Sequence, residues 1–194
     1  MKLIFATHNN NKLDEVKDLL SDSFEIFSLK DIGFFEEIIE DKKTIIENSK
    51  IKCMTVQQKT GYDCFADDTG LEVEALDGAP GVLSKRFAGL NASSDENINK
   101  LLYLLKEKTN RNAQFKTVIS LNINGSLKTF EGICKGTIST KRMGESGFGY
   151  DPVFIPNGSK ISFGQMTMKE KNIIAHRSIA ISKLVNYLTN LYQF

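Results

Sequence analysis

Two adjacent carboxylates, Asp67 and Asp68, follow a short apolar stretch that reads as a buried strand over residues 62–66. Like charges this close repel each other unless a cation lies beside them. Mg²⁺ prefers carboxylate oxygens and needs only one or two of them, because phosphates and water supply its other ligands. Successive strand residues point to opposite faces, so one acid can face a ligand while the other takes a local role. The pattern favours a cation site at the end of this strand, with a solvated turn as the alternative.

A second group of acids lies ahead of the helix that is predicted to begin at Thr44. It comprises Glu36, Glu37, Glu40 and Asp41. Acidic side chains are mostly exposed to solvent, and we favour that interpretation for Glu36 and Glu37. The group is a second source of carboxylates near the predicted cation site.

The polar run at the start of the chain has the composition of an anion-binding loop. It reads Thr7-His8-Asn9-Asn10-Asn11-Lys12, between a predicted strand over residues 2–6 and a helix that is predicted to begin near Lys12. A strand, loop and helix in this order direct free main-chain N–H groups and a helix N-terminus at an anion. Thr7 and Asn9 can donate hydrogen bonds and Lys12 adds a charge, although no Walker motif is present. The alternative is an Asn-rich loop that only caps the helix.

The loop GFGYDP, residues 147–152, combines two glycines with two aromatic residues and an acid. Glycine permits close approach of the main chain to a ligand, and Phe148 or Tyr150 can stack on a flat base. The alternative is a structural turn that packs its rings into the core, and it suits Tyr150 best.

The last candidates are Lys171 and the pair His176-Arg177 on a predicted C-terminal helical region. A histidine beside an arginine, five residues after a lysine, suits an anion or base site, but a lone histidine is also often structural. The spacing supports no Ser-His-Asp or Cys-His grouping.

The remaining pattern indicates an α/β protein with a mixed sheet. Capping boxes are predicted at 44–47 and 167–170, and residues 93–96 are predicted to open a further helix. The helical region that opens at 167–170 is expected to break near His176. Residues 113–123 alternate with period two and end at Asn124-Gly125, a strong hairpin signal, and another strand is predicted over 153–155. No linker separates independent domains, so we expect one domain over residues 1–194, with two lobes around a cleft.

Composition excludes several classes of protein. Lys and Arg total 25 against 24 acids, a balance that disfavours nucleic-acid and membrane-surface binding, so any bound polyanion is expected to be small. Three cysteines without C-x-x-C spacing indicate reduced thiols and a cytoplasmic protein. No signal peptide and no membrane span are expected.

Taken together, the motifs resemble the inosine triphosphate pyrophosphatase family, the non-standard purine NTP pyrophosphatases. The matching segments are ATHNNNK (6–12), Glu40 with TIIENSKIK (44–52), ADDTGLEVEALDGAPGVLSKRFAG (66–89), GFGYDPVF (147–154) and EKNIIAHR (170–177). They occur in family order over essentially the whole chain. Three positions depart from the family pattern: His8 stands where a glycine is usual, Ala175 replaces a serine, and Ser178 follows Arg177 where glycine is frequent.

The resemblance implies an elongated, two-lobed α/β fold with a central mixed sheet flanked by helices, an active-site cleft between the lobes and a homodimer. It implies Mg²⁺-dependent hydrolysis of ITP, dITP and XTP to the monophosphate and pyrophosphate, which cleanses the nucleotide pool. Glu40 and Asp68 fall on the family's metal-linked acids, and Asp68 on its proton acceptor, with Asp67 a rival. The implied substrate-binding residues are Thr7, His8, Asn9, Asn10, Asn11, Lys12, Lys52, Thr69, Phe148, Gly149, Tyr150, Asp151, Lys171, His176 and Arg177. The alternatives are a nucleotide sensor without hydrolysis and a pyrophosphatase for modified pyrimidine nucleotides.

Overall fold

The computed structural model of the protein describes residues 2–20 and 24–192, so positions 1, 21–23 and 193–194 of the predicted domain lie outside it. The strands of the described chain are β1 (Lys2–Phe5), β2 (Glu25–Ser28), β3 (Cys64–Val73), β4 (Pro80–Gly81), β5 (Asn112–Ile123), β6 (Ser126–Ile138) and β7 (Phe154–Pro156). The α-helices are α1 (Asn10–Leu19), α2 (Ile45–Thr60), α3 (Ser94–Leu104), α4 (Met168–Ile174) and α5 (His176–Tyr192). Within the described residues, no helix combines the length and the apolar character that crossing a bilayer requires.

The strands form one sheet with the order β2-β1-β3-β5-β6-β7, and β4 pairs with β3. Strand β1 runs parallel to β2 and to β3, whereas β3 with β4 and β6 with β7 are antiparallel pairs. The predicted α/β class with a mixed sheet is therefore confirmed.

The chain divides into two compact units. Unit 1 contains residues 1–68, 117–132 and 177–194, and unit 2 contains residues 69–116 and 133–176. Each unit has its own apolar core: Phe5, Phe65 and Leu184 are central in unit 1, and Leu101 and Phe154 in unit 2. The chain passes between the units at four peptide bonds, and two of them, Asp68–Thr69 and His176–Arg177, fall within predicted site segments.

Local sequence signals account for most element boundaries. Helix α1 begins two residues earlier than predicted, because the Asn9 side chain accepts the Lys12 main-chain N–H and caps the helix. Thr44 caps α2 in the same way through the Glu47 N–H, but the Glu47 carboxylate accepts from the Thr44 hydroxyl. At the start of α2, the Glu47 carboxylate therefore bonds to the Thr44 hydroxyl and not to the Thr44 main-chain N–H that a capping box would use.

Three other predictions are confirmed, and one strand is displaced. Reciprocal capping boxes open α3 at residues 93–96 and α4 at residues 167–170. Asn124 and Gly125 both have positive φ, 49° and 79°, as a two-residue hairpin turn between β5 and β6 requires. The expected break near His176 occurs at Ala175, where the main chain is extended between α4 and α5. The strand expected at 153–155 is β7, one residue later, because residues 151–153 form a turn of 3₁₀-helix.

The prediction that a strand ends at the Asp pair is wrong. Strand β3 continues to Val73, so Asp67 and Asp68 lie in its middle. Leu71 and Val73 are completely buried, and Leu71 pairs with Gly81 of β4, which prolongs the strand beyond the acids. Two charges are tolerated inside a buried strand because each has a cationic partner, as the site shows.

Candidate active site

Asp67 is the centre of a buried network of ion pairs in unit 1. Lys12 Nζ lies 2.8 Å from Asp67 Oδ1, and Nε and Nη2 of Arg177 each lie 3.2 Å from Oδ2. Arg177 also donates from Nη1 to Glu15. The side chains of Asp67, Arg177 and Glu15 are almost completely buried, so these charges are balanced by one another.

Three elements position this network. Strand β3 presents Asp67 on one face, α1 presents Lys12 and Glu15 three residues apart, and α5 begins one residue before Arg177. Burial opposes ionisation of Asp67, but the charges of Lys12 and Arg177 outweigh it and hold the pKa of this carboxyl well below its usual range. Glu15 was missing from the predicted site, although its spacing from Lys12 on one helix face was a signal that could have identified it.

Asp68 points the opposite way, into a second group of charges. Lys52 Nζ, on α2, lies 3.2 Å from Asp68 Oδ1 and 2.8 Å from Glu40 Oε2. Burial raises the pKa of Asp68 to about 6, Lys52 and Lys12 oppose this rise, and the neighbouring charges of Glu40 and Asp67 add to it. Burial is the largest influence on Glu40 and opposes its ionisation, but the charge and hydrogen bond of Lys52 and the charge of Lys12 together outweigh it and lower the pKa.

The two neighbouring acids therefore differ in how readily they accept a proton. The low pKa of Asp67 keeps it ionised at neutral pH, whereas the pKa of Asp68 lies close to the range where enzymes place general bases. The expectation that the two side chains take separate directions is confirmed. The arrangement gives Asp68 the electrostatic properties of a proton acceptor and Asp67 those of a fixed counter-charge.

The chemistry of the Lys52 group suits a hard cation. Glu40 and Asp68 both direct a carboxylate oxygen at one ammonium group, so negative charge converges there. The described residues hold no group of three or more His, Cys, Asp or Glu side chains arranged to hold a metal ion. Two carboxylates suffice for Mg²⁺ that takes its other ligands from phosphate and water. Glu40 and Asp68 therefore fit such an ion.

The first loop is ordered by hydrogen bonds of its own side chains. The Thr7 hydroxyl accepts the Asn9 N–H at 3.1 Å, and the Asn9 side-chain oxygen Oδ1 accepts the Lys12 N–H at 3.3 Å. Thr7 and Asn9 are half-buried, whereas Asn10 and Asn11 are exposed. The capping role that we gave as the alternative is confirmed, and it leaves the anion-binding role a prediction. His8 donates from Nε2 to the main-chain oxygen of Glu36 at 3.0 Å.

The predicted base-binding residues of unit 2 form a separate group around one buried ion pair. Lys171 Nζ lies 2.7 Å from Asp151 Oδ2, and both side chains are almost fully buried. The same carboxylate accepts the Phe148 main-chain N–H at 2.9 Å. A β-carbon at Gly147 would lie 2.1 Å from Asp151 Oδ2, so glycine at this position permits the approach. The ammonium also lies over the ring of Phe148, 4.9 Å from its centroid.

His176 and Tyr150 are packed into the core of unit 2. The His176 ring stacks on Phe115, with centroids 4.5 Å apart, and lies against Phe163. The Tyr150 hydroxyl donates to the Ser84 main-chain oxygen at 2.9 Å, which confirms the core-packing alternative for this residue. Phe148, in contrast, is only half-buried, as are Gly149 and Thr69.

The predicted site residues thus fall into two sets. The charged set in unit 1 comprises Lys12, Glu40, Lys52, Asp67, Asp68 and Arg177, with Glu15 added by the structure. The set in unit 2 joins Lys171, Asp151 and Phe148, and His176 adjoins it through Phe163, which also lies 5.6 Å from the Lys171 ammonium.

The sequence profile of the Ham1 family matches residues 3–187. The chain belongs to the Ham1 family. Similar curated proteins include the dITP/XTP pyrophosphatase of Christiangramia forsetii, 52% identical over 97% of this chain and 100% of the relative. The dITP/XTP pyrophosphatase of Flavobacterium psychrophilum is 50% identical, over 98% of this chain and 100% of the relative. The resemblance to the inosine triphosphate pyrophosphatase family, which the sequence motifs indicated, is confirmed.

Solved structures of Ham1 proteins share the fold. The HAM1 protein from Coxiella burnetii superposes with a TM-score of 0.90 at 34% identity, covering 98% of this chain and 99% of that one. The Staphylococcus aureus Ham1 protein gives a TM-score of 0.89 at the same identity and coverage. The mixed-sheet α/β architecture is therefore that of the Ham1 family.

Proposed function

We propose that this protein is an enzyme that hydrolyses non-standard purine nucleoside triphosphates, ITP, dITP and XTP, to the monophosphate and pyrophosphate. Relatives that match nearly the full length of this chain are named dITP/XTP pyrophosphatase. The observation that carries the proposal is the contrast within one strand, where ionised Asp67 neighbours Asp68 with a pKa of about 6. A hydrolase that activates water needs a base of this kind beside cations that hold phosphate.

The charged set of unit 1 is proposed to bind the triphosphate and to support attack of water on the α-phosphorus. Asp68 accepts a proton from that water while the bond between the α- and β-phosphates breaks and pyrophosphate leaves. Lys12 and Lys52 offset the negative charge that grows on the leaving group. Glu40 and Asp68 would hold Mg²⁺, which when bound neutralises phosphate charge as a Lewis acid.

The set in unit 2 is proposed to recognise the base, whereas Arg177 is held by Asp67 and Glu15 in unit 1. Hypoxanthine and xanthine carry an oxygen at position 6, where adenine carries an amino group. Donors from the main chain near His176 would pair with the oxygen, and the half-exposed Phe148 would stack on the ring. Adenine would leave such donors unpaired, at a cost of about 1–3 kcal/mol for each buried group. One such contact gives about tenfold discrimination or more.

We also propose that the protein acts as a homodimer, uses Mg²⁺ and works in the cytoplasm. Several large apolar side chains are well exposed and offer contact area, among them Leu90, Ile173 and Tyr103. Light scattering of the purified protein tests the dimer, and activity with Mg²⁺, with Mn²⁺ and after chelation tests the metal.

A product assay tests the activity. The purified protein is mixed with Mg²⁺ and, separately, with ITP, XTP, GTP and ATP, and pyrophosphate is resolved from orthophosphate. Pyrophosphate and monophosphate from ITP and XTP, with little from GTP and ATP, are expected. Nucleotide binding without pyrophosphate release would support a sensor instead. Preferential cleavage of modified pyrimidine nucleotides would identify those nucleotides as the substrates instead.

A further inference from the structure

The His8 ring connects the first loop with a distant segment of unit 1. Its Nε2 lies 3.0 Å from the main-chain oxygen of Glu36. A carbonyl oxygen can only accept, so the proton of this bond is carried by Nε2. The ring also lies against that of Phe34, with 6.5 Å between the centroids. His8, which stands where the family motif usually has glycine, is therefore engaged with residues 34–36.

The segment that His8 contacts carries the metal-linked acid Glu40. Residues 35–42 contain no helix or strand, and their anchor is the buried Phe34 at the N-terminal end. Glu40 follows the Glu36 carbonyl by four residues and reaches Lys52 at 2.8 Å. Other contacts of this segment include packing of Ile38 against the apolar core around Phe34, an ion pair between Lys59 and Glu36, and two hydrogen bonds between the Lys42 main chain and the Asn48 side chain.

A segment without regular structure depends on such contacts for its position. The Lys59–Glu36 pair is exposed on both sides, and exposed pairs contribute little to ordering. The His8 bond acts differently, because it fixes the main chain itself at Glu36. It also ties this main chain to the loop that carries Thr7, Asn9 and Lys12. A single side chain therefore links the predicted phosphate loop to the acid that is predicted to bind metal.

We infer that His8 is a positioning residue that holds the segment 35–43 in place so that Glu40 is presented to Lys52 and to the cation. The inference rests on the proposed function for its metal and substrate, whereas the attachment of the segment does not. His8 touches neither the reacting atoms nor the metal in this scheme, and it acts through Glu40.

The test compares three substitutions at one position. His8→Gly removes the side chain, His8→Asn keeps a polar amide that is too short, and His8→Gln places an amide N–H at about the reach of Nε2. Glu36→Gln is the matched control, because it removes the exposed ion pair with Lys59 but keeps the main-chain acceptor. Hydrogen exchange of residues 35–43 is measured by mass spectrometry, with residues 45–60 of α2 as the internal reference. The Mg²⁺ concentration for half-maximal pyrophosphate release is measured on the same proteins.

We expect His8→Gly and His8→Asn to raise exchange in residues 35–43 by about 2- to 10-fold, as loss of one exposed hydrogen bond allows, with α2 unchanged. The half-saturating Mg²⁺ concentration should rise in the same range, and His8→Gln should restore both quantities. Unchanged exchange in His8→Gly overturns the inference, and so does raised exchange without a change in Mg²⁺ dependence. If the parent protein releases no pyrophosphate, the proposed function fails, and the exchange data still decide whether His8 holds the segment.

Discussion

The two units bury charge in different ways. In unit 1, two neighbouring groups of ion pairs surround Asp67 and Asp68, and burial raises the pKa of Asp68 to about 6. In unit 2, one ion pair, Lys171 with Asp151, is enclosed by the rings of Phe148 and Phe163. The first arrangement is suited to changing its charge during a reaction, and the second to keeping a fixed shape. The proposed catalytic and base-binding roles therefore place different demands on buried charge.

Substitution of Asp68 is the most direct test of this difference between the two units. We expect Asp68→Asn to lose about 10²- to 10⁴-fold in turnover with every substrate, because the proposed general base has been removed. The same change should stabilise the fold at neutral pH. The folded pKa of about 6 lies above that of the unfolded chain, so between these values the folded state binds more protons, and the free energy of unfolding falls as pH rises. Removing the ionisable group removes this penalty, on the order of 1–3 kcal/mol.

Pyrophosphate release from ITP and urea unfolding at neutral pH and near pH 4 measure both effects. The gain in stability of Asp68→Asn over the parent protein should shrink as pH falls through about 6 and the parent Asp68 becomes protonated. A variant that is less stable than the parent at neutral pH would contradict the assigned electrostatics.

Asp67→Asn should have the opposite effect on stability. Its loss leaves Lys12 and Arg177 buried without their shared carboxylate, which should cost about 3–5 kcal/mol. Because the folded pKa of Asp67 lies below that of the unfolded chain, its contribution is present above the unfolded pKa and is lost as pH falls toward the folded one. The difference in the free energy of unfolding between parent and variant, measured with urea, should therefore become smaller as pH falls. If Asp67→Asn and Asp68→Asn shift stability in the same direction, the two acids have equivalent surroundings.

The contrast between these acids also shows what sequence reasoning could and could not reach. The hairpin turn at Asn124-Gly125 and the capping boxes were predictable because residues a few positions apart determine them. The true length of β3 was not, since its buried acids are balanced by Lys12, Lys52 and Arg177, which are distant along the chain. The role of Glu15 depends on the same long-range pairing, with Arg177. Motif resemblance identified most of the charged set of unit 1, but only the fold revealed the network.

In unit 2, the corresponding test removes the buried ion pair between Lys171 and Asp151. Lys171→Met should lower the free energy of unfolding by about 3 kcal/mol, because Asp151 stays buried with the Phe148 N–H but without its ammonium partner. The double variant Lys171→Met/Asp151→Asn should recover part of this loss, since Asn keeps an acceptor for that N–H without a charge. Arg142→Met, which breaks the exposed pair with Asp95, is the control and should cost less than about 1 kcal/mol. Additive losses in the double variant would mean that the buried pair is not coupled.

The smallest expected effect tests whether unit 2 contributes to base choice. His176→Ala should raise KM and reduce the preference for ITP over ATP by about tenfold, because the ring and the main chain beside it are proposed to contact the base. His176→Phe is the matched control, since it keeps a ring against Phe115 and Phe163 but has no ring nitrogens. Kinetics with ITP and ATP are measured for both variants. Restored discrimination in His176→Phe assigns the residue to packing, whereas persistent loss assigns it to hydrogen bonding. An equal loss for ITP and ATP in His176→Ala would remove His176 from base recognition.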